Sequence, residues 1–318
     1  MWRMSSLNIS LILGLMFVLQ GCDINNDDDF TPTKDNANSN ATLLGTTNTR
    51  SNGEVVKLGS VSAVSEGSTD LRKVATRMEI PRLKGGTDNL FIVHTTSDGV
   101  NFCIEWNNKL RAQRWSAYRW DRSNTGGNAG YSGDFREDPL IPYAYRTTLD
   151  DHKSNGYDRG HIVGSADRQR TAEANSQTFY LSNMQPQLNE FNAQGIWYEL
   201  ENRLRGTYNK DSFRDTLYVV KGGTIDYGNY TMVRKIPAPK YFFMALLRKR
   251  NNISTNGGYA AVAFWMEHKE NTDTNFKNYA VSIDELEELT GIDFFCNLPD
   301  DIEKTVEQSY SSVVWKLN

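Results

Sequence analysis

The sequence lacks the features that would define a chemistry by composition alone. It has three cysteines and four histidines in 318 residues, and a formal net charge of −4. Without a strongly basic balance, contact with nucleic acid has to rest on local patches rather than on overall attraction. His94, His152, His161 and His268 are scattered without the spacing of zinc ligands, which argues against a structural zinc protein. Cys22 lies near the N-terminus, leaving Cys103 and Cys296 to form either one disulfide or two separate buried thiols. No internal repeat is visible, and helical patterning is sparse, so a solenoid or coiled coil is excluded. The apolar fraction, 38%, is low, with the deficit concentrated in residues 23–70, which read as Asp, Asn, Ser, Thr and Gly.

What the N-terminus does have is an address. Arg3 precedes an apolar run over residues 7–19, too short to span a bilayer, and then Leu19-Gln-Gly-Cys22. Residues 1–22 read as a secretory signal, and the end of it resembles a lipobox whose cysteine becomes acylated. The resemblance implies a lipid anchor at Cys22 and a place in the envelope or on the surface of a Gram-negative bacterium, or secretion. Residues 23–73 read as a disordered polar tether. Its Asp27-Asp28-Asp29 run reads equally as a surface-export signal or a soluble spacer. One folded domain is expected over residues 74–318.

Within that domain, residues 90–95, 100–106 and 111–120 alternate or run apolar and predict three strands of an antiparallel meander. His94 on the first is expected to be a satisfied core or edge histidine, and His152, flanked by acids in a loop, a solvated one. Thr216-Leu-Tyr-Val-Val-Lys-Gly-Gly223 predicts a strand, and residues 240–247 and 258–266 the arms of a hairpin buried on both faces. Ser282 through Glu285 open a helix that Gly291 closes. Strands outnumber helices, and the class is α+β.

The chemistry points to residues 155–205. Asp158-Arg159-Gly160-His161 sets an imidazole beside a residue without a side chain at the end of a short strand, where it can face a groove and take a proton from water. Asn183, Asn189 and Asn192 follow, offering the neutral carbonyl oxygens that a hard, hydrated cation such as Mg²⁺ or Ca²⁺ accepts. So little protein charge calls for an anionic substrate, and a phosphodiester fits. From Ile196 the pattern is helical, with Ile196, Trp197, Leu200 and Leu204 as the apolar stripe and Glu201 and Arg205 at i and i+4 on another face.

Asp158-Arg-Gly-His161, Tyr180-Leu-Ser-Asn183-Met-Gln-Pro-Gln187, and Asn192 with Trp197, Leu200-Glu201 and Arg205 together resemble the DNA/RNA non-specific endonucleases of the ββα-metal class. The likeness is close over residues 155–205 and looser over about 76–295. It implies a central, mostly antiparallel sheet flanked by helices, and an endonuclease acting on DNA and RNA. It further implies that His161 is the general base, that Asn192 is the direct protein ligand of Mg²⁺ (or Mn²⁺ or Ca²⁺), and that Glu201 holds that ion's water. Arg205 would stabilise phosphoryl charge, Asn183 would brace the site, and Asp158 and Arg159 would shape the strand end.

Two departures stand out. Asn192 to Trp197 is one residue longer than the family's usual spacing, and nine positions separate Asn192 from Glu201, which at about 100° per residue puts them on opposite faces of an unbroken helix. Either the helix starts after Asn192 or a π-bulge absorbs the extra residue; Gln194 is the alternative ligand. The family's upstream arginine is also missing at Tyr131-Ser-Gly-Asp134, leaving Arg136 or Arg122 to substitute. A scaffold that binds nucleic acid or a partner without turnover is the competing reading.

Overall fold

The computed structural model describes residues 36–46 and 49–317. In chain order the first strands are β1 (Arg50–Ser51), β2 (Val56–Leu58), β3 (Val61–Ser65), β4 (Thr69–Asp70), β5 (Asn89–Thr96), β6 (Gly99–Asn107), β7 (Ala112–Trp120) and β8 (Asp158–His161). They continue as β9 (Met184–Gln187), β10 (Thr216–Gly223), β11 (Tyr230–Val233), β12 (Ile236–Pro239), β13 (Tyr241–Lys249), β14 (Tyr259–Glu267) and β15 (Ala280–Val281). The α-helices are α1 (Leu71–Ala75), α2 (Ala172–Gln177), α3 (Asn189–Asn192), α4 (Ile196–Arg203), α5 (Ile283–Thr290) and α6 (Asp300–Glu307). None of them is long and apolar enough to cross a membrane.

Nine strands make one sheet in the order β15-β14-β13-β10-β7-β6-β5-β3-β2, antiparallel except where β3 runs parallel to β5. The β5-β6-β7 meander and the β13-β14 hairpin lie where alternation and apolar runs predict them. Register decides which side chains share a face. Tyr118, Val219, Leu246 and Val262 stand in one cross-strand row. Their neighbours Ala117, Val220, Ala245 and Ala263 make a second row on the opposite face. Both rows are buried, so the sheet is covered on both sides, as its continuous apolar strands require.

Helix α4 covers the large-residue face. Ile196, Trp197, Leu200 and Leu204 join the strand residues in one core cluster, with the Trp197 ring 5.6 Å from Phe242. Full burial of each such side chain contributes about 1.5–3 kcal/mol, and this anchoring fixes the opposite, polar side of α4. On the other face, Phe294 meets Phe243 at 5.6 Å. Ser282 caps α5 by accepting from the Glu285 amide at 3.1 Å, and Gly291 ends the helix with φ of 65°.

Two expectations need correction, and one open alternative is decided. The polar tether does not extend to residue 73, since residues 36–73 that the structure describes are packed. Asn40 Nδ2 donates to Ala75 O at 2.9 Å and Pro81 O at 3.0 Å, and its Oδ1 accepts from Leu83 N at 2.9 Å. Leu58, Val61, Ala63, Val64 and Leu71 are buried. The polar residues here pair with backbone rather than water, which composition does not reveal. His152 is not solvated but buried in a turn over Leu149–His152, and desolvation lowers its pKa to about 4. Cys103 and Cys296 are separate buried thiols. The expected signal, Cys22 and the acidic run lie outside the described residues.

Candidate active site

Strands β8 and β9 form a short antiparallel hairpin in which His161 pairs with Met184 and Gly160 with Gln185. Gly160 is required by crowding. A Cβ there would sit 2.0 Å from Gln187 Oε1, so a side chain at this position requires the buried Gln187 side chain to swing aside. Beyond the hairpin the chain is held by Asn183. Its Nδ2 donates to Val163 O at 2.9 Å and Thr178 O at 2.8 Å, its Oδ1 accepts from Val163 N at 2.9 Å, and its carbonyl takes the Ile162 amide at 3.0 Å. With every polar atom of its side-chain amide committed, Asn183 ties the segment after β8 to the turn before β9.

The His161 ring packs against Phe179 at 4.9 Å and Phe135 at 5.8 Å. Its Nε2 is buried and has no hydrogen-bond partner among the described residues. Burial disfavours the imidazolium, Lys221 and Arg159 disfavour it further, and Asp167 opposes them only in part, so the pKa falls to about 4. At neutral pH the ring is uncharged and able to accept a proton. Arg159 itself lies 4.4 Å over the Phe135 ring.

The asparagine row divides by task. Asn189 Nδ2 donates to Asp158 Oδ2 at 2.8 Å, and Asn192 Nδ2 reaches the same oxygen at 3.5 Å. Asp158 therefore ties α3 to β8 and orients the Asn192 amide by its nitrogen, leaving the carbonyl oxygen as the end outside that bond. The helix restarts after Asn192. Gly195 caps α4 with extended backbone, and a Cβ on it would sit 2.0 Å from Glu190 O. The break removes the constraint behind the nine-residue spacing, because Asn192 and Glu201 belong to different helices and are not held to one helical phase. Gln194 lies exposed in the link between them.

Glu201 and Arg205 enter a buried charge cluster. Lys221 on β10 donates to Glu201 Oε1 at 2.8 Å and to Asp167 Oδ2 at 3.1 Å. Arg205 Nη1 meets Asp167 Oδ1 at 3.0 Å and stands 3.8 Å from Glu201 Oε2, while Tyr118 donates to Asp167 Oδ2 at 2.7 Å. Burial alone would raise the Asp167 pKa, but Lys221 and Arg205 overcome it and hold the carboxyl near 2. For Glu201 burial outweighs Lys221, and the pKa is raised. The two carboxylates and two cations balance. Gly164 lets this cluster close on the His161 segment, since a Cβ there would be 3.2 Å from Asp167 Oδ2 and 3.4 Å from Arg205 Nη1.

By chemistry, Asn192 and Glu201 are the residues that could hold a divalent cation. Asn192 offers a neutral oxygen, and Glu201 Oε2 is engaged only by the long contact to Arg205. Few protein oxygens with water completing the shell is the pattern of a hard, strongly hydrated ion.

Arg136 and Arg122, the candidate substitutes for the upstream arginine, are placed differently. Arg136 follows Phe135, donates to Ser176 O at 3.0 Å and lies 4.3 Å over the Tyr180 ring, on the flank of the site. Arg122 is an exposed partner of Asp211 at 3.2 Å and does not join the cluster. Sequence reasoning missed Lys221, Asp167 and Tyr118. The available signal was Lys221 itself, a cation at the centre of an apolar strand, where lysine is stable only if paired. His94 is a core residue as expected, with Nε2 3.1 Å from Asp138 Oδ2.

Comparison with known proteins supplies the family. The sequence model of the DNA/RNA non-specific endonucleases matches residues 89–301. A nuclease of Nostoc sp. is 31% identical over 211 residues, covering 65% of this chain and 75% of its own length. Nuclease C1 of Cunninghamella echinulata is 29% identical, covering 62% of this chain and 81% of its own length. The mitochondrial nuclease of Saccharomyces cerevisiae is 33% identical, covering 54% and 56%. A chain of the crystal structure of the EndoG/EndoGI complex superposes with a TM-score of 0.55 at 23% identity, covering 67% of this chain and 89% of that one, and shares the fold. The protein thus belongs to the DNA/RNA non-specific endonuclease family, whose members are nucleases.

Proposed function

We propose that this protein is a divalent-metal-dependent, sugar-non-specific endonuclease that hydrolyses phosphodiester bonds in DNA and RNA, with Mg²⁺ as the ion and Mn²⁺ or Ca²⁺ as substitutes. The observation that carries the reading is the buried, uncharged His161 with an uncommitted Nε2, beside the Asp167, Lys221, Glu201 and Arg205 cluster. His161 accepts the proton of the attacking water as its oxygen bonds to phosphorus and the bond to the leaving oxygen breaks. Arg205 faces the charge that builds on the phosphoryl oxygens. Asn192 and Glu201 hold the ion, which when bound supplies electrostatic stabilisation to the phosphoryl and leaving oxygens. Asp158, Asn183 and Arg159 position these groups, and Arg136, beside Phe135 and Tyr180, is assigned to a flanking phosphate. Contacts of this kind go to phosphates and carry no base sequence, so indifference to sequence follows.

The test is cleavage of plasmid DNA and of RNA by the purified protein with Mg²⁺, with EDTA, and as His161→Ala. Activity that survives chelation or loss of the imidazole overturns the mechanism; salt-sensitive binding without any cleavage would favour the binding-scaffold reading. We further propose attachment to the bacterial envelope through acylated Cys22. Metabolic labelling with palmitate tests this, and labelling that persists in Cys22→Ser rejects it.

A further inference from the structure

Far along the chain from the active-site residues, the C-terminal helices bring carboxylates together without cations. Asp284 and Glu287, three residues apart on α5, and Glu307 at the end of α6 each place an oxygen within 4.8 Å of the others. Among the described residues, no lysine or arginine forms an ion pair with any of the three. Clustered acids are common on protein surfaces, but Glu307 is not a surface residue. It is 5% exposed, and its Oε1 is buried with no hydrogen-bond partner.

The neighbouring acids make the contrast. Glu303 and Asp293 are answered by Asn38 Nδ2 at 2.9 and 3.4 Å. Glu287 accepts the Phe294 amide on Oε1 at 2.7 Å, which leaves its Oε2 outside that bond. A buried carboxylate oxygen left without a donor is costly, and it calls for a cation or a proton.

We propose that Asp284, Glu287 and Glu307 form a second cation site, for a hard divalent ion of the calcium type, which fastens α5 to α6. The ligands are all oxygens, as calcium prefers, and two oxygens on one calcium lie at most about 5 Å apart, twice its ligand distance. Asp284 is exposed, so the site opens to solvent, while Glu307 reaches it from inside. A calcium ion tolerates such irregular geometry, whereas Mg²⁺ demands a near-ideal octahedron. Both helices pack on β14, so the ion acts as a structural clip rather than a catalytic group.

The experiment uses the full chain, stripped with EDTA and titrated with calcium chloride near pH 8. The readouts are melting temperature and bound calcium per chain, for the wild type, Glu307→Gln, Asp284→Asn and Asn192→Ala. Calcium is expected to raise the melting temperature of the wild type and of Asn192→Ala by about 5 °C. In the two carboxylate variants the rise falls by at least half and one bound ion is lost. Asp284→Asn is a surface change and keeps the test open if Glu307→Gln does not fold. Equal calcium responses in the wild type and both carboxylate variants, or a response abolished by Asn192→Ala alone, overturn the proposal and leave a protonated cluster.

Discussion

His161 owes its readiness as a base to burial and neighbouring cations more than to imidazole's ordinary basicity. The charged form is lost only above about pH 4, so the acid limb of nuclease activity set by this residue should fall near pH 4 and not near the free value of 6.5. A pH–rate profile reads this directly, and a limb at 6.5 would contradict the buried site. His161→Ala is expected to lower the cleavage rate by about 10²–10⁴-fold with the far-ultraviolet spectrum unchanged. Lys221 should behave differently. Lys221→Met leaves Asp167 and Glu201 buried without their shared cation, and a loss of about 3–5 kcal/mol in urea unfolding is expected alongside the loss of activity. At this scale the nearness of Glu201 and Arg205 was legible, because residues at i and i+4 share a helix face. Asp167 and Lys221 were not, because their partnership depends on β10 lying across from the His161 segment, a contact over 54 positions.

Among the elements, the turn between α3 and α4 determines whether Asn192 can work. The sequence showed a spacing one residue too long and left open a late helix start or a π-bulge; the structure has both features in different places. The late start comes at Gly195, and a π turn over Leu204–Tyr208 follows α4, with the Asn209 amide returning to Leu204 O at 2.9 Å. The π turn lies beyond Glu201 and so does not govern its facing. Gly195→Ala should therefore move Asn192 off its position, raising the Mg²⁺ concentration for half-maximal activity by about tenfold. Gly206→Ala, where an added Cβ meets nothing within 4 Å, is the control and should titrate as the wild type does. Six of the nine sheet strands, β5, β6, β7, β10, β13 and β14, were legible, since apolar runs and alternation report burial directly, whereas β2 and β3 lie in residues read as tether and β15 was not foreseen. The parallel placement of β3 was not legible either, because pairing partners far apart in sequence leave no periodic trace.

For the whole molecule, one buried triad sets a pH window. Burial opposes the charge on His94, but Asp138 and Glu66 outweigh it and raise its pKa to about 9. This contribution is complete below about pH 6.5 and is lost as pH rises through 9, with a magnitude up to about 3 kcal/mol. The wild type should lose stability between those values more steeply than His94→Gln, measured by urea midpoints in the same buffers. Parallel curves would show that His94 is not held charged in the fold.

If the proposed anchor at Cys22 holds the protein, the packing of residues 36–46 and 49–73 decides where proteolysis could release it. With Asn36 and Asn40 already bonded to Leu298 and Ala75, and β3 hydrogen-bonded along β5, a protease that frees an intact enzyme has to cut before Asn36. A nick past the β2-β3 hairpin would instead strip the protective rim from β5 and leave Leu90, Phe91 and Ile92 on a naked edge, where soluble release turns into precipitation.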